Sequence, residues 1–183
     1  MRTGVTRILL ISGSTRAGST NTAALRTVAG LALTGMRADL YGGLRDLPAF
    51  VPGDDPDDYP AVVDLRAELA TADAVLICTP EYAGTLPGSL KNLLDWTVGT
   101  ADLYEKPVAW LSVAQPGRGE GALDTLSTVL GYVGADVVER ACLRVPVLGA
   151  DVDENGLVAD REFAPNASIA LVELAAHLRR IGV

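Results

Sequence analysis

The chain is poor in the side chains that most often carry out chemistry. It holds one histidine, His177, and two cysteines, Cys78 and Cys142, in 183 residues. A single histidine excludes most Ser-His-Asp hydrolases and most histidine-bound metal sites. The cysteines lack metal-ligand spacing and fall inside apolar runs, so they read as reduced core thiols of a cytoplasmic protein. Positive charge is also scarce: 15 Lys and Arg face 23 Asp and Glu, giving a formal charge of −8. Nucleic acid and anionic membrane surfaces are therefore poor partners. No apolar run approaches the roughly 20 residues of a membrane span. The N-terminal run ends too soon for a signal peptide and reads as a strand. What the chain has in quantity is apolar residues, 49% of the total. That composition and length suit one globular domain spanning residues 1–183.

Short apolar runs alternate with helical patterns, the mark of a parallel α/β fold. Strands are expected at Arg7–Ser12, Arg37–Leu40, Ala74–Thr79, Val108–Val113 and Asp136–Val145. The first, third and fourth are apolar almost throughout, as strands covered on both faces should be. A first helix is expected over Thr20–Leu33, with Leu25, Val28 and Ala32 inward. The second starts near Pro60 with Asp57 or Asp58 as cap and Val62, Leu65 and Leu69 inward. The third begins at Pro87 and buries Leu90, Leu93 and Leu94, leaving Lys91 and Asp95 wet. The fourth carries Leu123, Leu126, Leu130 and Val133 and stops at Gly134. The last runs from Pro165 to Ile181 with Ile169, Val172 and Leu178 inward. Five such units predict a doubly wound, five-stranded parallel sheet of flavodoxin-like order 2-1-3-4-5, with helices on both faces. Ligands then bind at the carboxyl ends of strands one, three and four. The acidic run Asp54–Asp58 lacks calcium-loop spacing and reads as a solvated loop.

Those three strand ends carry three distinctive loops. The first strand breaks into Gly13-Ser14-Thr15-Arg16-Ala17-Gly18-Ser19-Thr20-Asn21 just before a helix. Unpaired N–H groups and the positive helix end make such a junction an anion site, to which Ser, Thr and Asn add neutral donors. Ser19 or Thr20 also fits the role of helix cap. Gly13–Thr20 is one residue from a phosphate-binding Walker A loop, but Ser19 stands where the essential lysine belongs, which argues against a nucleotidase. The third strand leads into Thr79-Pro80-Glu81-Tyr82-Ala83-Gly84-Thr85-Leu86-Pro87-Gly88, and the fourth into Ser112-Val113-Ala114-Gln115-Pro116-Gly117-Arg118-Gly119. Glycine and proline fix a backbone able to offer N–H and C=O groups to a flat heterocycle.

The Gly13–Asn21 segment resembles the phosphate loop of the NADPH-dependent FMN reductase family, which includes quinone, azo-dye and chromate reductases. Pro80-Glu81-Tyr82 with Pro87-Gly88-Ser89-Leu90-Lys91-Asn92 and Asp95-Trp96 resembles the family's second signature at matching spacing. The resemblance implies FMN as cofactor and NADPH or NADH as co-substrate. It implies hydride transfer through the flavin to a small acceptor: a quinone, free flavin, azo compound or metal oxyanion. Ser14, Arg16, Ser19, Thr20 and Asn21 would surround the FMN phosphate, although Arg16 also suits the phosphates of the nicotinamide nucleotide. Pro80, Glu81, Tyr82, Ala83 and Gly84 would line the ring edge, and Ser112, Gly117 and Gly119 its other side. No side chain is expected to act as an obligatory acid or base. The family usually has Asn where Ala83 stands. Arg16 and the Pro-Glu-Tyr signature favour a reductase over the alternative, a flavodoxin-type electron carrier with protein partners. Related reductases imply a homodimer or homotetramer. Trp96 and Leu86, off the inward stripe of the third helix, are expected at the subunit boundary, and Gly42–Pro60 suits a lid or partner contact.

Overall fold

A computed structural model describes residues 5–182. Strands β1 (Thr6–Ser12), β2 (Met36–Leu40), β3 (Ala74–Cys78), β4 (Pro107–Ser112), β5 (Asp136–Val137) and β6 (Leu143–Arg144) alternate with helices α1 (Thr20–Ala29), α2 (Pro60–Thr71), α3 (Gly88–Trp96), α4 (Glu120–Tyr132) and α5 (Phe163–Ile181). All pairings are parallel, in the order β2-β1-β3-β4-β5, with β6 also on β4. The expected flavodoxin-like topology is present.

Side-chain alternation along β1 builds the two halves of the core. Ile8 and Leu10 join Leu25 and Val28 of α1 and Leu171, Leu174 and Leu178 of α5. Leu9 and Ile11 join Leu65 and Leu69 of α2, Leu90 and Leu93 of α3 and Leu126 of α4. Thus α1 and α5 cover one face of the sheet, and α2, α3 and α4 the other. A strand with helices on both faces has no wet side, which is why the middle of β1 (Ile8–Ile11) and all of β3 are apolar.

Four local expectations are corrected. The fifth strand is not continuous over Asp136–Val145: a 3-10 turn at Glu139–Ala141 divides it. Val108 pairs Val137 whereas Leu111 pairs Leu143, so this edge carries extra residues opposite β4, in the manner of a bulge. Helix α1 ends at Ala29, where Gly30 takes the cap, and Ala32 packs on the core from the following turn. Helix α2 is capped by neither Asp57 nor Asp58. Tyr59 occupies the cap position, while Asp55 accepts the Asp57 N–H at 3.0 Å in the preceding turn. On α5, Ile169 and Val172 are each 43% exposed, and the buried face is Phe163, Ala167, Ala170, Leu171, Leu174, Ala175 and Leu178. Alanines let the helix approach the sheet closely, so the inward stripe follows small residues rather than β-branched ones.

A larger correction concerns Trp96 and Leu86. Both are buried within this chain, at 2% and 4% exposure. Trp96 donates its indole N–H to the Pro48 carbonyl at 2.9 Å and packs edge-on against Phe50 and tilted against Tyr59. Asn92 reinforces the seam: its amide donates to the Pro48 carbonyl at 2.8 Å, and its carbonyl accepts the Phe50 N–H at 2.8 Å. The Gly42–Pro60 segment is therefore clamped onto α3 at Pro48 and Phe50 by its own chain.

Candidate functional site

The three expected loops meet at the carboxyl ends of β1, β3 and β4. In the first, Ser12 Oγ hydrogen-bonds Thr22 Oγ1 at 2.8 Å and accepts the Ser14 N–H at 3.3 Å. Ser14 Oγ in turn accepts the Arg16 N–H at 3.4 Å. The hydroxyls thus brace the loop from within. Gly13 is fixed by space, because a Cβ there would lie 2.3 Å from Thr79 Oγ1 and 2.9 Å from a Leu90 methyl. Ser19 holds the cap position of α1 but makes no side-chain capping bond. Its hydroxyl is buried and has no hydrogen-bond partner. A buried hydroxyl without a partner costs about 1–3 kcal/mol, so its presence at a positive helix end points to an acceptor supplied from outside the chain. Asn21 is buried at the floor of the site, where its Oδ1 accepts from the Cys78 thiol at 3.3 Å.

The second loop is built on a tight turn. Tyr82 and Thr85 exchange both backbone hydrogen bonds, at 3.0 and 3.1 Å, around Ala83 and Gly84. The φ angles of those two residues are +51° and +78°. Positive φ at both central positions is the type I′ pattern, for which Asn-Gly is the preferred pair. An asparagine at position 83 would suit this backbone better than the alanine present. Glu81 faces away from the turn: its carboxylate accepts the Gly121 N–H at 2.9 Å and the Ala122 N–H at 3.4 Å, at the first turn of α4. The negative charge on that helix end is favourable, and it fastens the second loop to the third. Contact is close enough that a Cβ on Gly121 would meet the Gly84 carbonyl oxygen at 2.1 Å.

Between these loops lies an open cleft of about 460 Å³, lined by Thr20, Asn21, Thr79, Pro80, Glu81, Val113, Ala114, Gln115, Arg118, Gly119 and Val147. Of the expected site residues, Thr20, Asn21, Pro80, Glu81 and Gly119 line it directly. Tyr82, Ala83 and Gly84 form the exposed turn beside it, Tyr82 with 48% of its surface open. Ser112 is buried at the end of β4, where its carbonyl accepts the Val145 N–H. Gly117 and Gly119 hold the third loop with φ of +77° and +84°. Ser14 and Arg16 line a separate crevice on the other side of the first loop. Val147 is a wall that sequence reasoning missed. It comes from beyond β6 and is held by its N–H to the Val113 carbonyl at 3.0 Å, a pairing no local pattern signals.

No side chain here is tuned as a nucleophile. Burial pushes the Cys78 thiol up, and burial pushes that of Cys142 up to about 11. His177 lies by the start of β5, bonded to Asp136 at 2.6 Å and away from the loops. A cleft of this volume, walled by backbone-rich loops and lacking an acid–base pair, suits a bound cofactor that brings its own chemistry.

Comparison with known proteins gives that class a name. The sequence model of the family described as NADPH-dependent FMN reductase matches residues 6–146. The chain belongs to this family. It is 33% identical over 117 residues to an NADPH azoreductase of Bacillus sp. (strain OY1-2), covering 63% of this chain and 65% of that one, somewhat under two thirds of the azoreductase. It is 36% identical over 178 residues to a 2-hydroxy-1,4-benzoquinone reductase of Burkholderia sp., covering 94% and 96% of the two chains. In structure it superposes on FerB, a flavoenzyme NAD(P)H:(acceptor) oxidoreductase of Paracoccus denitrificans. That superposition has a TM-score of 0.75 at 24% identity and covers 98% of this chain and 100% of that one. At that identity the likeness establishes the shared fold.

Proposed function

We propose that this protein is an FMN-dependent oxidoreductase that takes hydride from NADPH or NADH and passes reducing equivalents to a small acceptor, a quinone, azo compound, free flavin or metal oxyanion. The observation that carries the reading is the buried, partnerless Ser19 hydroxyl at the α1 N-terminus, beside a cleft bounded by three glycine-rich loops. Bound FMN supplies the redox chemistry. The chain supplies binding, orientation and electrostatics. Ser19 and Thr20, with the first N–H groups of α1, hold the phosphate. The turn at Tyr82–Thr85, locked to α4 through Glu81, and the loop ending at Gly119 give the ring rigid walls. Backbone N–H groups on those walls would offer hydrogen bonds to the ring of a bound flavin. Arg118 and Gln115 also line the cleft and suit an anionic or polar portion of a substrate.

Anaerobic mixing with NADPH and then NADH, followed by reoxidation with a panel of acceptors compared by kcat/KM, tests this reading. Loss of the oxidised-flavin absorbance with either nicotinamide, and its return with a small acceptor, is the expected result. A protein that binds FMN but is reduced by neither nicotinamide is an electron carrier instead. No helix among the described residues is long and apolar enough to cross a membrane. A cytoplasmic location, and a homodimer or homotetramer formed around the exposed Tyr82 rim, complete the proposal. Light scattering showing an active monomer at micromolar concentration overturns the assembly.

A further inference from the structure

The third loop holds one cation on a rigid base. Gln115-Pro116-Gly117-Arg118 is a turn closed by the Arg118 N–H, which donates to the Gln115 carbonyl at 3.0 Å. Proline second and glycine third, with φ of +77° at Gly117, are the type II arrangement. Gly119 follows with φ of +84°, so close to the start of the loop that a Cβ there would meet the Ala114 Cβ at 2.9 Å. Arg118 is exposed, whereas Asn21, Thr79, Val113 and Val147 form the buried part of the same cleft. It is the one cation among the described residues that line that cleft. The carboxylates best placed to neutralise it are engaged elsewhere. Glu81, the carboxylate of the cleft, accepts the Gly121 and Ala122 N–H groups. Glu120, two residues beyond Arg118, forms a two-pronged pair with Arg144 at 2.8 and 2.7 Å. Arg118 itself has no ion pair or side-chain hydrogen bond among the described residues. A chain of net charge −8 repels anions at long range, so an unneutralised guanidinium in a cleft marks a place where one is accepted.

We infer that Arg118 sets acceptor specificity by pairing with a negatively charged oxygen substituent. The protein then prefers planar acceptors bearing a carboxylate, sulfonate or ionised hydroxyl to neutral ones with the same ring. The inference deepens the oxidoreductase reading above and rests on it. On that reading the phosphate lies at the α1 N-terminus and the third loop flanks the ring. Arg118 therefore stands at the ring end, on the open side from which an acceptor enters. A guanidinium suits such a partner in two ways: its fork matches a pair of oxygens, and its plane stacks on an aromatic ring. Gln115, in the same turn and the same cleft, adds a neutral amide donor for a carbonyl oxygen of the same molecule. Because the cleft is open to water, the ion pair is screened and its worth is modest.

The test compares anthraquinone-2-sulfonate with the neutral anthraquinone-2-sulfonamide, both as acceptors and as ligands of the FMN-loaded protein. The sulfonate is expected to have the higher kcat/KM by about five- to tenfold, between the worth of an exposed ion pair and that of a charge-assisted hydrogen bond. That preference should shrink as KCl is added. It should fall to about twofold or less in Arg118→Ala, with Arg118→Lys retaining part of it. Calorimetric titration of the oxidised, FMN-loaded protein should give the same ratios in Kd without turnover. Equal use and equal binding of the two compounds by the unaltered protein overturn the inference. So does a preference indifferent to KCl, or one that survives in Arg118→Ala. If Arg118→Ala instead releases FMN, the guanidinium serves the cofactor. If it slows flavin reduction by NADPH as much as reoxidation by the sulfonate, the guanidinium serves the nicotinamide nucleotide. Either result overturns the inference. If neither nicotinamide reduces the flavin, the oxidoreductase reading fails by itself, and the titration still decides whether Arg118 selects anions.

Discussion

Ala83 is a residue at odds with its backbone. Its φ of +51° is a region where an L residue with a Cβ is strained, and asparagine is tolerated there far better than alanine. Ala83→Asn is expected to stabilise the protein by about 0.5–1 kcal/mol, raising Tm by about 1–4 °C on thermal unfolding. A lower Tm would show that position 83 is set by something other than the turn. Gly121 is constrained in the opposite sense. A methyl group there meets the Gly84 backbone at 2.1 Å, so Gly121→Ala must push the second loop from α4. It is expected to cost about 1–3 kcal/mol in denaturant unfolding and to weaken FMN binding as well. Unchanged stability and FMN affinity would mean that the two loops move independently. Ser19 shows where sequence reading stops. Its position before α1 was legible, but a cap and a ligand contact look alike in sequence, and only its buried, unpaired hydroxyl separates them.

Among the elements, those with strong periodicity and long apolar runs were legible: β1, β3 and β4, the inward stripes of α2, α3 and α4, and the sheet order that follows. What escaped was decided by tertiary contact. Three of the seven inward residues of α5 are alanine, which carries little pattern, and the divided fifth strand depends on its register against β4. Glu81 escaped for the same reason. It belongs to the signature that marks the second loop, yet its carboxylate serves α4, across 40 residues of sequence. Glu81→Ala removes the acceptor for two N–H groups at a helix start and is expected to cost about 0.5–2 kcal/mol in urea unfolding. Glu81→Gln keeps an acceptor without the charge and should recover part of that loss. A Glu81→Ala protein of unaltered stability but lost FMN affinity would put the carboxylate on the flavin instead.

At the scale of the molecule, Trp96 binds the Gly42–Pro60 segment to the body of the fold, and that segment begins at the crevice lined by Arg16, Arg26 and Arg45. Trp96→Ala empties a fully buried indole site and is expected to cost about 3–5 kcal/mol. Protease should then cut between residues 42 and 60 at concentrations that leave the unaltered protein intact, with no change of mass by light scattering. A drop in mass would return Trp96 to a subunit boundary. The central claim is that the first loop and the α1 N-terminus bind the phosphate of a flavin mononucleotide. Fluorescence titration of the flavin-free protein with FMN, riboflavin and FAD tests it most directly. FMN should bind about tenfold to a few hundredfold tighter than riboflavin, the worth of one or two charge-assisted contacts to the phosphate, with FAD weaker than FMN. Riboflavin binding as tightly as FMN, or FAD binding more tightly, would contradict the account.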